Sequence, residues 1–240
     1  PTLYLRRGEL HRIHKDWEAA EKDYYQARSL DPDLDAVEYC LGRMKLDAGD
    51  PQGAVEHLER YLEIRPEDAR GRTTLGWALV KLGRYVAAAD EFSAALANAG
   101  EGLSQPEIYL ERARALATAG PEHLDRALQG LDEGLEKLGE PVTLQLYAVE
   151  LEVSAGRFDS ALRRLDRLAA GSVRKEPWLM RKGAILEAAG RPGEAGAVYR
   201  QALDAIDSLP ASRRDKRAVL RMESEARAGL ERVERARTTP

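Results

Sequence analysis

Cys40 is the only cysteine among 240 residues, which excludes an internal disulfide and a cysteine-rich metal cluster. Aromatic residues make up only 6% of the chain. No apolar run approaches the roughly 18 residues of a membrane span. No leader-like segment stands at the start, although the chain does not begin with methionine, so this says little about export. The 37 basic and 41 acidic residues leave a net charge of −4, which argues against bulk nucleic-acid binding. Sequence signatures of catalysis are missing as well. There is no GxGxxG, GxxxxGK[ST], HExxH or GxSxG. What is abundant is interleaved charge, 32% of residues, beside 43% apolar residues. That combination describes solvated helix faces around a core of ordinary size.

The chain repeats itself. Gly8, Gly42 and Gly76 are 34 residues apart, and so are Val149 and Gly183. Ala20, Ala54 and Ala88 step by 34, as do Ala127, Ala161 and Ala195. Four residues after each alanine stands a bulky one: Tyr24, Leu58, Phe92, Leu131, Leu165 and Tyr199. Ala27, Ala95, Gly134 and Ala202 follow three further on. The register slips by five residues in mid-chain. Three fit the stretch Asn98 to Pro106 and two fit Gly120 to His123, where loops absorb insertions cheaply.

Punctuation matches the repeat. Gly49, Gly83, Gly120, Gly156 and Gly190 fall mid-unit, where a C-capping glycine ends a first helix. Asp31-Pro32, Arg65-Pro66, Gly139-Glu140-Pro141 and Leu209-Pro210 close the second helices. Apolar residues between these marks recur at helical spacing, and period-2 alternation is not sustained anywhere. Six helix–turn–helix units are predicted: 1–34, 35–68, 69–105, 106–141, 142–175 and 176–209.

This pattern resembles the tetratricopeptide repeat (TPR). The second unit carries it in Leu41-Gly42, Gly49, Ala54, Leu58 and Pro66; the third in Leu75-Gly76, Gly83, Tyr85, Ala88, Phe92 and Ala95. The resemblance implies an all-α, right-handed superhelical solenoid. Small residues at positions 8, 20 and 27 would let paired helices approach, and the bulky position 24 would fill the gap between neighbouring units. Lys15 replaces a turn glycine, Val149 fills a small slot, and Tyr61 and Leu168 are large where alanine is usual. Units one, two and five are therefore expected to be slightly splayed. Stretches such as Leu3 to Leu10 and Glu187 to Arg191 are more loosely similar to bacterial TPR proteins of unassigned role, many of them exported. A soluble protein of cytoplasm or periplasm is expected.

Residues 210–240 form a separate segment with nine basic residues against five acidic. Ser212 and Asp215 approximate a capping box, and Val219, Met222, Ala226, Leu230 and Val233 make one apolar stripe. The prediction is one amphipathic helix that caps the solenoid's last unit.

Candidate chemistry is sparse. His11 and His14 lack further ligands, and His11 sits where TPRs bury an aromatic, so packing is expected. His57 and His123 read as surface residues. Cys40, with only Arg43 nearby, reads as a small semi-buried hydrophobe. No catalytic residue, metal or cofactor is assigned. The TPR resemblance implies that first helices line a concave groove, which here holds Tyr39, Arg43, Arg70, Trp77, Leu110, Arg114, Tyr147, Met180 and Arg181. Tyr, Trp, Met and Arg are the types that anchor interfaces. The chaperone-tail clamp of some TPR proteins needs Lys and Asn where this chain has Leu5, Glu9, Cys40, Arg70 and Thr74, so that subtype is not expected. The reading is a non-catalytic scaffold, monomeric, binding a protein or peptide but neither nucleic acid nor the membrane interior. The alternative is the regulatory or substrate-docking TPR segment of a larger enzyme.

Overall fold

The computed structural model describes residues 1–99 and 105–238, so most of the inserted stretch after Asn98 lies outside the described residues. Among the described residues there are helices and no strand. They pair as α1 (Thr2–Ile13) with α2 (Trp17–Leu30), α3 (Ala36–Asp47) with α4 (Pro51–Ile64), and α5 (Ala69–Lys81) with α6 (Tyr85–Asn98). Next come α7 (Pro106–Ala119) with α8 (Leu124–Leu138), α9 (Val142–Ser154) with α10 (Phe158–Ala170), and α11 (Glu176–Ala188) with α12 (Pro192–Asp207). The chain divides into two compact units, 1–139 and 140–240. Gly139 (φ 72°) and Glu140 (φ 62°) mark the division. The first unit holds four hairpins and the second holds two, followed by α13 (Ala211–Arg214) and α14 (Arg217–Thr238). No helix among the described residues is long and apolar enough to cross a membrane.

The mid-hairpin turns are Schellman motifs. At Gly83 (φ 73°) the backbone N–H donates to the Val80 carbonyl, and the next N–H, of Arg84, reaches back to Leu79 at 2.9 Å. Lys15 makes the same turn with φ 61°, donating to Arg12 while Asp16 donates to His11. A side chain in that conformation is strained. Lys15→Gly is expected to stabilise the protein by roughly 0.5–1 kcal/mol after the added freedom of the unfolded chain is subtracted. A denaturant midpoint that falls would show the strain to be relieved elsewhere. Gly120 departs from the expected turn: it takes φ 155° and ψ 164°, and the two extra residues are taken up where a three-residue 3-10 turn, Pro121–His123, precedes α8.

In four hairpins the large residue at position 24 lies on the glycine at position 8 of its own first helix. A Cβ added to Gly8 would meet the Tyr24 ring at 2.5 Å; on Gly42, Leu58 at 2.6 Å; on Gly76, Phe92 at 2.7 Å; on Gly183, Tyr199 at 2.5 Å. The same position also reaches the neighbouring unit: Tyr24, with Ala20 and Ala27 of α2, shares one core with Val37 and Met44 of α3. Other residues add to contact between hairpins, as where Gly71 of α5 is overlaid by Tyr61 and Leu62 of α4. Packing within the hairpins is uneven. Helices α9 and α10 pack less extensively, with Val149 in the glycine slot, and α7 and α8 also pack less extensively than the first three pairs. The first two hairpins, expected to be splayed, pack about as closely as α5 and α6.

In the second and third hairpins a polar pair ties position 4 to position 23. In the second hairpin Glu38 accepts or shares the proton of His57 Nδ1 at 2.7 Å; in the third, Arg72 donates to Glu91 at 2.8 Å, with the charges reversed. His57 is therefore buried, and its assignment to the surface is corrected. In the first hairpin Arg7 reaches buried Asp23 with two bonds, at 2.7 and 2.6 Å. Arg112 is buried at a core position because Gly130 has no Cβ: its guanidinium lies over that glycine and donates to the carbonyl at 2.8 Å and to Glu133 at 2.9 Å.

The C-terminal segment is not one continuous helix. It breaks after α13, at Asp215 and Lys216, and Pro210 rather than Ser212 stands at the N-cap of α13, with no side-chain cap bond. The apolar stripe behaves as one face all the same. Val219, Ala226 and Val233 are buried, and α14 lies along α12 with Gly229 over Tyr199 and Val233 against Gly196.

Candidate functional site

The first helices of the first unit enclose a cleft of about 410 Å³ between α3, α5 and the start of α7. Tyr39, Arg43, Arg70 and Trp77 line it together with Thr73, Thr74, Gln105, Glu107 and Ile108. Tyr39 is set by its neighbours: its ring packs at 5.3 Å against the buried Tyr61 ring, and the Arg43 guanidinium lies over it 5.7 Å from the ring centre. Burial pushes the Tyr61 phenol up to about 12, so it stays neutral. Arg43 also donates to Glu9 at 3.4 Å, and Arg70, largely exposed, stands 3.9 Å from Asp68. Thr74 is buried and its hydroxyl donates to the Arg70 carbonyl, so it offers no hydrogen bond to a ligand from that proton. Trp77 is 44% exposed, an unusual state for the largest side chain of a helix whose core positions are filled by Leu75, Ala78 and Leu79.

The other sequence-derived candidates are placed differently. Leu110 is half-buried and Arg114, exposed and bonded to Glu111 at 2.7 Å, lies further along α7 than the cleft lining. Tyr147, Met180 and Arg181 belong to the second unit. Tyr147 is half-buried, Arg181 is exposed, and Met180 packs on that unit's core rather than standing clear of it. Sequence reasoning missed Gln105, Glu107 and Ile108 as cleft residues. Glu107 at least occupies position 2 of its unit, one of the groove positions.

Cys40, near this region, is no nucleophile. Burial raises its thiol to about 11, with Glu9 adding to the effect. At neutral pH it holds roughly a hundredfold less thiolate than an unperturbed cysteine. Slow labelling by a maleimide, rising steeply above pH 10, is the expected result; labelling at the rate of free cysteine would contradict it. Among the described residues no three His, Cys, Asp or Glu side chains are grouped to hold a metal ion.

Stacked helical hairpins with an aromatic and arginine-lined cleft on their first helices define the class: a helical-repeat protein. Tetratricopeptide-repeat models match residues 45–108 and 148–210, and the chain belongs to the tetratricopeptide-repeat family. No curated protein sequence matches it significantly. Solved structures share the fold at low identity. A tetratricopeptide repeat protein from Parabacteroides merdae is 18% identical with a TM-score of 0.60, covering 98% of this chain and 92% of that one. YrrB, described as a TPR protein with an unusual peptide-binding site, is 15% identical with a TM-score of 0.55, covering 77% and 93%. MamA from Desulfovibrio magneticus is 16% identical with a TM-score of 0.58, covering 70% and 93%.

Proposed function

We propose that this TPR protein is a non-catalytic scaffold that takes an extended peptide or a partner's helix in the cleft of its first unit. TPR membership supports an interaction role, and the peptide-binding site described for YrrB supports a peptide as ligand. The observation that carries the reading is the half-exposed Trp77 in a cleft of about 410 Å³ beside Tyr39, Arg43 and Arg70. A rigid aromatic surface supplies contact area at low entropic cost, and the two guanidinium groups suit a ligand carboxylate or backbone carbonyl. Glu107, also in the lining, selects against a second acidic group at that end. Tyr147, Met180 and Arg181 extend the proposal to a separate contact patch on the second unit.

The test is selection of peptides from a displayed library on the full chain, followed by variants. Trp77→Ala with Arg70→Ala is expected to weaken capture at least 30-fold, corresponding to about 2 kcal/mol for an anchor. Helicity and melting temperature should hardly change, because both side chains are exposed. Convex-side changes, Glu59→Ala and Arg163→Ala, should leave capture intact. If they abolish it while the cleft variants bind normally, the ligand sits elsewhere.

A further inference from the structure

A second cleft of the first unit, of about 290 Å³, lies between α6, α7 and α8. Ser93, Arg112, Leu116, Arg126, Gln129 and Glu133 line it around Gly130, and it shares no residue with the cleft at Trp77. One of its charges is buried. Arg112 is 7% exposed, and among the described residues only its Nη2 is bonded, to the Gly130 carbonyl and to Glu133. Nε is shielded from solvent and has no partner. The Tyr109 ring, 5.2 Å from the guanidinium carbon, offers it a π face but no acceptor. Charged donors left unbonded in an interior are costly, so such a group calls for an anion or a water to complete it. The neighbouring charges are already engaged. Arg126 is paired with Asp90, and Glu133 is shared between Arg112 and Lys137, at 2.9 Å to each. One positive charge is left over in the cleft.

The second unit shows what completes such a cleft. Its equivalent, about 460 Å³, lies between α10, α11 and α12. Lys182 stands there at position 7, as Arg112 does, and Leu186 at position 11, as Leu116 does. From position 25 of the preceding hairpin comes Asp166, whose two oxygens accept from the Lys182 ammonium at 2.7 and 2.9 Å. In the first unit that position is Ser93. Its hydroxyl donates to the Ala89 carbonyl at 2.7 Å, and it brings no negative charge. Position 23 differs too: Val198 in the second unit is Gly130 in the first, which lets Arg112 sink beneath the surface. The first unit thus keeps the cation and lacks the carboxylate.

We propose that the cleft between α6, α7 and α8 binds a carboxylate on a short aliphatic stem, seated on Arg112 as Asp166 is seated on Lys182. Arginine suits a carboxylate through paired N–H donors, Leu116 gives the stem an apolar wall, and Gln129 adds an amide. Glu133 selects against a dianion such as phosphate, because a second negative charge would meet its own. The carboxylate is carried by a free small acid or by a glutamate of a partner protein, the chemistry at Arg112 being the same.

The test is a nuclear magnetic resonance titration of the full, nitrogen-15-labelled chain. The probes are sodium butyrate and a glutamate blocked at both ends, with sodium chloride holding ionic strength constant. The readout is the Arg112 Nε–H resonance, assigned by correlation to its own side chain. It should shift saturably, with a midpoint of about 1–20 mM, and phosphate should bind at least fivefold more weakly. Ser93→Asp should supply the missing carboxylate from within, weakening binding at least tenfold and raising the melting temperature. Ser93→Asn, of the same size and uncharged, should bind as the parent does, with circular dichroism unchanged in both. Trp77→Ala should have no effect, so failure of the peptide cleft and failure of this site are told apart. A response to both probes or to the blocked glutamate alone supports a partner's side chain as source; a response to butyrate alone supports a free acid. The proposal is overturned if neither probe moves the resonance more than chloride does. It is overturned equally if Ser93→Asp binds as well as the parent, or if Ser93→Asn loses binding as fully as Ser93→Asp.

Discussion

Phe92→Ala is expected to be the most damaging single substitution in the first unit, costing about 3–5 kcal/mol. The ring is fully buried and lies on Gly76 so closely that a Cβ there would fall 2.7 to 2.9 Å from three ring carbons. Ala88 and Ala95, one turn to either side on α6, are fully buried too and bring α6 close to its partners. Removing the ring leaves a void that two helices fastened along their whole length cannot close. The converse change, Ala88→Leu, overfills the same contact at roughly 1–3 kcal/mol. Urea titration with the slope unchanged would measure both. A Phe92→Ala loss below about 1 kcal/mol would mean that the hairpin rearranges freely, contrary to the packing described.

Removing residues 211–240 should have the second large effect. Without α14, Tyr199 and the Gly196 surface beneath Leu230 and Val233 lose cover, and the second unit is left with an apolar end. The truncated protein should associate or lose solubility while keeping most of its helicity, because hairpins in an array depend mainly on neighbours. Gly229→Leu should act in the same direction without truncation, since even a Cβ at that site would stand 2.7 Å from the Tyr199 ring. Monomeric, fully soluble behaviour of both variants would show that α14 protects nothing. The clamp has a polar part as well. Glu187 receives two bonds from Arg232 at 2.9 Å and one from the Tyr199 hydroxyl at 2.6 Å. The Arg232 bonds, seconded by Tyr199, hold the Glu187 carboxyl below the usual carboxylate range. A depressed folded value means that this contribution is present above the ordinary carboxylate pKa and fades as pH falls through the folded one. Arg232 is more than half exposed, so the effect is modest.

Much of this architecture was legible because the repeat forces it. Glycines 34 residues apart must answer a recurrent steric demand, and in the structure Tyr24, Leu58 and Phe92 make it. The helix ends followed from glycine and proline, whose backbone limits are local. What escaped was set by partners far apart in sequence. His57 is polar and carries no mark of burial; Glu38, 19 residues earlier, is what makes the interior tolerable for it. Arg112 enters the core only because Gly130 vacates room, a pairing visible once α7 and α8 are side by side. The break at Asp215 and Lys216 has no glycine or proline to announce it. As to the cleft, position within the repeat identified Tyr39, Arg43, Arg70 and Trp77, yet could not say which candidates fold back onto the core, as Met180 does.

The contact between positions 8 and 24 sets a rule for recombining this protein. Aromatic rings occur at position 24 only above glycine: Tyr24 on Gly8, Phe92 on Gly76 and Tyr199 on Gly183. Where position 8 is Ala113 or Val149, position 24 is Leu131 or Leu165. The two sites share one allowance of volume, so a chimera joined in the middle of a hairpin inherits half of it from each parent. Helix α12 grafted behind α9 would drive Tyr199 into Val149, whereas α10 behind α11 would leave a hole above Gly183. Crossovers between hairpins keep each pair intact. The unit of inheritance is therefore the whole hairpin, and a gene shuffled at its boundaries should yield folded arrays far more often than one cut at the turns.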